Sequence, residues 1–276
     1  MKLGFKSLAT VSVLASALAL AGCGEQAQES AQEAAPAKPL RLGVIAGAEE
    51  QVAEVAVKVA KEQYNLEVEL VSFSDYVTPN VALNDGSLDL NAFQHQPYLD
   101  KQIADRGYKL VAVGSTFVYP IAGYSRTIAS LDELAEGAKV AVPNDPTNLG
   151  RTLLLLEQQG LIEVNDEAGL EATTLDITAN PKKLQIIELE APQLPRSLED
   201  VSVAVINTTY ASQIDLLPTR DGLFVEDKES PYVNLIVARE DNRDDERVQT
   251  FVKAYQSEEV YQAASELFKG GVVKGW

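Results

Sequence analysis

Leu40-Arg41-Leu42-Gly43-Val44-Ile45 is a short apolar run that stops at Ala46-Gly47-Ala48, and residues 49–64 then place Val52, Val55, Ala56, Val59 and Ala60 at helical spacing. A strand feeding a helix opens an α/β unit, and the same grammar runs outward along the chain. Residues 66–73 alternate apolar and polar as a second strand, and 78–83 form a short helix closed by Asn84-Asp85-Gly86. A third strand follows at 88–93, then a helix over 96–106 stopped by Gly107, then a fourth strand from Leu110 that continues to Tyr119.

The pattern restarts after Ala122. Ser130 and Glu133 have capping-box spacing, 139–143 read as a strand, and 147–159 as a helix ended by Gly160. Residues 201–206 predict a strand leading through Asn207-Thr208-Thr209-Tyr210 into a helix, 232–238 a late strand, and 247–268 one long amphipathic helix. Strands alternating with helices predict mostly parallel sheets covered on both faces. Two such series, before and after about residue 120, predict two lobes. Ligands of such folds sit beyond the carboxyl ends of strands and in clefts between domains.

Upstream, residues 1–22 have the layout of a secretory signal: Lys2 and Lys6, an apolar stretch, then small residues. Leu20-Ala21-Gly22-Cys23 resembles the lipobox of bacterial lipoproteins, in which the cysteine becomes the lipidated first mature residue. The apolar run is shorter than the ~20 residues a bilayer span needs. Cys23 is the only cysteine, so it has no partner for an internal disulfide and no companions for a zinc site. Residues 23–39 are rich in Ala, Gln and Glu without aromatic or branched apolar residues, the composition of a flexible tether. The chain holds 41 acidic and 23 basic residues, and without Lys2 and Lys6 the imbalance is about −20, which argues against a nucleic-acid partner.

The residues just past strand ends carry the chemistry. They are Phe93-Gln94-His95-Gln96-Pro97-Tyr98, residues 144–151 ending in Arg151, Asn207-Thr208-Thr209-Tyr210, and Asn234 within its strand. One guanidinium, several amides and several rings suit a zwitterionic amino acid. Arg151 can hold a carboxylate bidentately, amide oxygens of Asn207 and Asn234 can accept from an ammonium, and rings can enclose an apolar or thioether side chain. Each residue also has a structural reading: Arg151 in a surface ion pair, Asn207 as a helix cap, Phe93 and Tyr98 as core aromatics, Tyr76 as a loop aromatic, and the lone His95 as a satisfied structural side chain.

Four stretches carry a family resemblance: Phe93-Gln94-His95-Gln96-Pro97-Tyr98-Leu99, Tyr119-Pro120-Ile121-Ala122-Gly123-Tyr124-Ser125, Pro143-Asn144-Asp145-Pro146-Thr147-Asn148-Leu149-Gly150-Arg151 and Tyr232-Val233-Asn234-Leu235. Together they closely resemble the NlpA/MetQ family of methionine-binding lipoproteins, from the lipobox to Lys274-Gly275-Trp276. The resemblance implies a two-lobed α/β fold of the periplasmic-binding-protein type, with two mixed sheets flanked by helices and a ligand cleft between the lobes. It implies a first lobe from residues 40–120 and 235–276 and a second from 124–230. It also implies that Tyr76, Phe93, His95 and Tyr98 line the side-chain pocket. Arg151 would bind the carboxylate with Asn148 nearby, and Asn207 and Asn234 would take the ammonium. The expected ligand is L-methionine or a close relative. The expected partners are the permease and ATPase of a methionine ABC importer and, through lipid on Cys23, the bacterial membrane on its periplasmic or outer side. The protein is expected to be a monomer without cofactor, metal or catalytic residues.

The alternative is an exported hydrolase acting on a small amino-acid-like substrate. Against it, the only imidazole is His95, the only thiol is Cys23, and no G-x-S-x-G elbow occurs. A metal-binding receptor would have one histidine and carboxylates to work with, a poor set for zinc.

Overall fold

The computed structural model describes residues 38–227 and 229–276; the signal segment, Cys23 and all but the end of the tether lie outside them. From Leu40 the chain runs β1 (Leu40–Ile45), α1 (Ala48–Tyr64), β2 (Val68–Phe73), α2 (Thr78–Asn84), β3 (Leu90–His95), α3 (Gln96–Arg106) and β4 (Leu110–Val118). It then passes through β5 (Ala122–Tyr124), β6 (Lys139–Pro143), α4 (Pro146–Gln158), β7 (Glu163–Val164), β8 (Ile177–Ala179), β9 (Gln185–Leu189) and α5 (Leu194–Ser197). After β10 (Val203–Ile206) come α6 (Thr208–Ala211), α7 (Pro218–Asp221) and β11 (Phe224–Val225). The chain closes with β12 (Val233–Arg239), α8 (Glu246–Tyr255), α9 (Glu258–Leu267) and β13 (Val273–Lys274).

Two large sheets organise these elements. The first has six strands in the order β13-β4-β12-β3-β1-β2, and the second five in the order β11-β5-β10-β6-β9. Both are mixed rather than mostly parallel. β1 pairs in parallel with β2 and β3, whereas β12 runs antiparallel to β3 and β4. In the second sheet β6 pairs in parallel with β9 and β10, and β5 is antiparallel to β10 and β11. The strands entered after the two crossings between sheets, β5 after β4 and β12 after β11, run against the βα units, as does the C-terminal β13. A chain that leaves a lobe and returns must enter the sheet against the direction of the βα units.

Each sheet is covered on both faces. Val52, Ala56 and Val59 of α1 pack with Val248, Phe251 and Tyr255 of α8 and Val260 of α9 over one face of the first sheet. Leu83, Leu88, Leu99 and Leu110 cover the other. Leu153 and Leu156 of α4 fill the second sheet's core with Val140, Val142 and Val205. A further apolar group joins the lobes, with Ile45, Phe93 and Tyr98 from the first sheet meeting Tyr210, Ala211 and Ile206 from the second.

Three local expectations are corrected. The long helix over 247–268 is two helices, because Ser257 accepts from Val260 N and starts α9 anew. Ser130 and Glu133 do not form a full capping box around a helix. Leu131–Glu133 is a single 3-10 turn in which Glu133 Oε2 accepts from Ala129 N while the Ser130 hydroxyl caps nothing. The helix expected from Thr147 begins at Pro146, capped by Asp145.

Candidate functional site

Parallel strands of both sheets deliver their carboxyl ends to one place. β3 ends at His95, β6 hands over to Asp145 and α4, and β10 hands over to Asn207 and α6. β12 is antiparallel to β3 and pairs Asn234 with His95, so its first residues arrive at the edge where the other strands finish. All eight residues singled out in the sequence, Tyr76, Phe93, His95, Tyr98, Asn148, Arg151, Asn207 and Asn234, line one cavity with about 340 Å³ of empty space, mouth included. Gln94, Tyr119, Thr208 and Thr209 complete its wall.

The aromatic side is a cluster. Tyr76 stacks on Phe93 with ring centroids 5.9 Å apart, and Tyr98 meets both edge-on at 6.2 and 6.0 Å. Tyr210 reaches over from the second lobe to Tyr76 at 5.0 Å, and its hydroxyl donates to Ser74 O at 3.3 Å. The Tyr98 hydroxyl is spent on Tyr76 O, so the ring presents apolar surface.

Arg151 is 4 % exposed, and its ion pair is an interior one. Its Nε donates to Glu226 Oε1 at 2.7 Å, and Nη2 donates to Glu226 Oε2 and to Tyr119 O. The guanidinium lies 4.4 Å over the Tyr232 ring. Glu226 occupies the Nε–Nη2 fork, and Nη1 is the end left without a partner among the described residues. The packing is tight along this helix. A Cβ on Gly150 would meet Leu170 O at 2.2 Å, so only glycine lets α4 lie against that segment.

Asn207 stands at the N-cap position of α6, yet its side chain caps nothing. Its Nδ2 donates to Asn148 Oδ1 at 2.9 Å, and its Oδ1 is buried without a partner among the described residues. Asn148 Nδ2 donates to both oxygens of Asp145, at 3.1 and 3.0 Å. His95 closes the network across the lobes. Its Nδ1 accepts from Tyr98 N, which leaves the proton on Nε2, 3.3 Å from Asn148 Oδ1. Burial, then the Arg151 charge, pushes the imidazole down from 6.5 to about 3, so His95 is neutral.

Glu49 and Glu226 escaped the sequence reading. Glu49 is only 4 % exposed; its carboxylate accepts from the Thr209 hydroxyl of the second lobe and from Asn234 Nδ2 at 3.4 Å. The signal that finds it is its place past the end of the first strand, where the positive φ of Gly47 (120°) turns the chain into α1. Burial lifts the Glu49 carboxyl from 4.5 to about 7, despite the hydrogen bonds from Thr209 and Asn234. A carboxyl raised in the fold stabilises it while protonated. The contribution is complete below pH 4.5 and is lost, by about 3 kcal/mol, as pH rises to about 7. Glu49→Gln removes that slope. Urea unfolding of ligand-free protein should therefore show the variant gaining about 3 kcal/mol on the parent between pH 4.5 and about 7. A flat difference would mean that Glu49 is solvated.

The sequence profile of the NlpA lipoprotein family matches residues 40–276. The chain belongs to that family. It is 65 % identical over 274 residues to the D-methionine-binding lipoprotein MetQ of Salmonella typhimurium, covering 99 % of this chain and 98 % of the other. Among solved structures, the methionine binding protein MetQ is 69 % identical, with a TM-score of 0.85 over 86 % of this chain and 98 % of that one. A nutrient binding protein from Burkholderia cenocepacia, solved bound to methionine, is 50 % identical, with a TM-score of 0.84 over 86 % of this chain and 100 % of that one. The two-lobed, mixed-sheet architecture is thus that of NlpA-family binding proteins.

Proposed function

We propose that the chain is an extracytoplasmic, lipid-anchored solute-binding protein that captures methionine and delivers it to the permease and ATPase of an ABC importer. One observation carries the reading. A guanidinium end, a buried amide oxygen without a partner and an apolar aromatic wall converge in one cavity between two lobes, as the three parts of a methionine zwitterion require. The ligand carboxylate goes to Arg151 Nη1 and its ammonium to the oxygens of Asn207 and Asn234. Its thioether goes among Tyr76, Phe93 and Tyr98. The names of the relatives support the same ligand and the lipid anchor.

The protein acts as a receptor and not as an enzyme, and as a monomer. Both ring nitrogens of His95 are held in hydrogen bonds, so the one imidazole is not free to serve as the base of the hydrolase alternative. Closure of the lobes around ligand is the signal that the importer reads, as in hinge-closing binding proteins. The contacts from Glu49 to Thr209 and from Gln213 Nε2 to Ala46 O, at 2.8 Å, bridge the two lobes across the cleft.

Native mass spectrometry of protein purified from cells tests the ligand: a single added mass equal to methionine is expected, and a different retained mass would replace the assignment. Lipid on Cys23 holds the protein at the membrane, and the lobes begin at about residue 40. Cys23→Ser should release a folded protein into the soluble fraction. Unchanged membrane retention with the signal removed would contradict the anchor.

A further inference from the structure

The asparagine amides at the cavity are not free to turn. An amide has nearly the same shape with its oxygen and nitrogen exchanged, so packing alone does not decide which end faces a ligand. A carboxylate does decide, because it only accepts. Asp145 takes Nδ2 of Asn148 at both oxygens and also holds the Asn148 backbone N–H at 3.0 Å. Asn148 must then turn Oδ1 toward Asn207. There it accepts Asn207 Nδ2 at 2.9 Å and faces the protonated Nε2 of His95 at 3.3 Å. Asn207 in turn leaves its own Oδ1 unpaired at the cavity. A second, separate route ends the same way. Glu49 accepts Nδ2 of Asn234, which also donates to Phe93 O at 3.3 Å, so the Asn234 oxygen is turned away from both.

We propose that Asp145 and Glu49 are positioning residues that fix the Asn207 and Asn234 amides oxygen-inward, making the cleft selective for a free, charged α-amine. The proposal rests on the methionine reading above. A flipped amide would point N–H at the ammonium and leave a buried donor unsatisfied, which converts an attractive contact into a repulsive one without moving any atom far. Asp145 acts through two amides and Glu49 through one, so neither has to touch the ligand. Glu49 lies behind Asn234, and in its ionised form it also favours the ammonium.

The test compares methionine with its des-amino analogue, γ-(methylthio)butyrate, by isothermal titration of the full-length protein in detergent. Asp145→Asn keeps an oxygen to cap α4 while offering Asn148 a donor where it now finds an acceptor. Glu49→Leu removes the acceptor of Asn234 Nδ2 outright. The preference for methionine over the analogue should fall about tenfold or more in each variant, because only the ammonium contact is spoiled. A general loosening of the site would weaken both ligands alike, and that result overturns the proposal, as does an unchanged preference in folded variants. The two substitutions sit on different elements, so either one suffices if the other does not fold. Wild-type protein that binds neither ligand overturns the methionine reading as well. Wild-type protein that prefers methionine, with variants that keep that preference, overturns the positioning role alone.

Discussion

Arg151→Ala is expected to weaken methionine binding by about two orders of magnitude or more and to lower folding stability by about 3–5 kcal/mol in the same protein. Both losses follow from the double engagement of the guanidinium. Its Nη1 end is what remains for a ligand carboxylate, and its Nε–Nη2 edge holds Glu226, whose side chain is only 10 % exposed. Truncation therefore strands one buried charge in the protein and another in the ligand. The two effects separate in a double variant. Arg151→Ala with Glu226→Gln removes the stranded carboxylate and should recover most of the stability by urea unfolding, while methionine remains unbound. Arg151→Lys should recover part of each, because one ammonium cannot serve two Glu226 oxygens, Tyr119 O and a ligand together. A folded Arg151→Ala protein that binds methionine within a factor of about three of the parent would show that the carboxylate is held elsewhere.

Phe93→Ala comes next in size. The ring is 4 % exposed and lies between Tyr76 and Tyr98, so deleting it opens a void in the aromatic wall. Unfolding free energy should drop by about 3 kcal/mol, the lower end for a buried phenylalanine, because one side of the ring borders the cavity. The binding readout is more specific. Methionine should lose affinity while alanine, whose methyl does not reach the wall, keeps its own. Unfolding measured with urea and titration with both amino acids check the two halves. A protein destabilised as expected but still preferring methionine by the parent's margin would move the thioether away from Phe93.

The α/β grammar was legible because local signals and tertiary structure agree. The first strand and helix appear at Leu40–Ile45 and Ala48–Tyr64, and Gly107 closes α3 in a left-handed conformation. Sheet direction was less legible, since whether a strand runs with or against its neighbour depends on where the chain crosses between lobes. Nothing local to residues 233–239 records that. The break between α8 and α9 was hidden because the apolar stripe continues on both sides of Ser257, and a cap inside an amphipathic run reads as one more polar face residue. Residues 163–197 carry short strands and 3-10 turns too brief for any period to show.

At the site, the family motifs led to the residues at the cavity wall but not to what holds them. Arg151 was visible as the lone cation among candidate residues, whereas Glu226 lies 75 positions away in a crossing segment with no pattern of its own. Glu49 looked like an ordinary acidic residue in a helix's first turn, favoured there by the helix dipole. Its burial comes from Thr209 and Asn234, which approach from distant parts of the chain. Asn207 gives the reverse lesson. Local sequence makes it a helix cap, and the tertiary network claims its side chain instead.

The most direct measurement is isothermal titration of ligand-stripped, refolded full-length protein with methionine and with alanine. The shared carboxylate and ammonium contacts cancel in the comparison, leaving burial of the thioether chain. At about 0.8 kcal/mol per methylene-sized group plus sulfur–ring contact, that is about 3 kcal/mol, or about two orders of magnitude in affinity. One methionine per chain, bound about a hundredfold more tightly than alanine, is the predicted result. Equal affinity for the two, or no binding of either, would contradict the account.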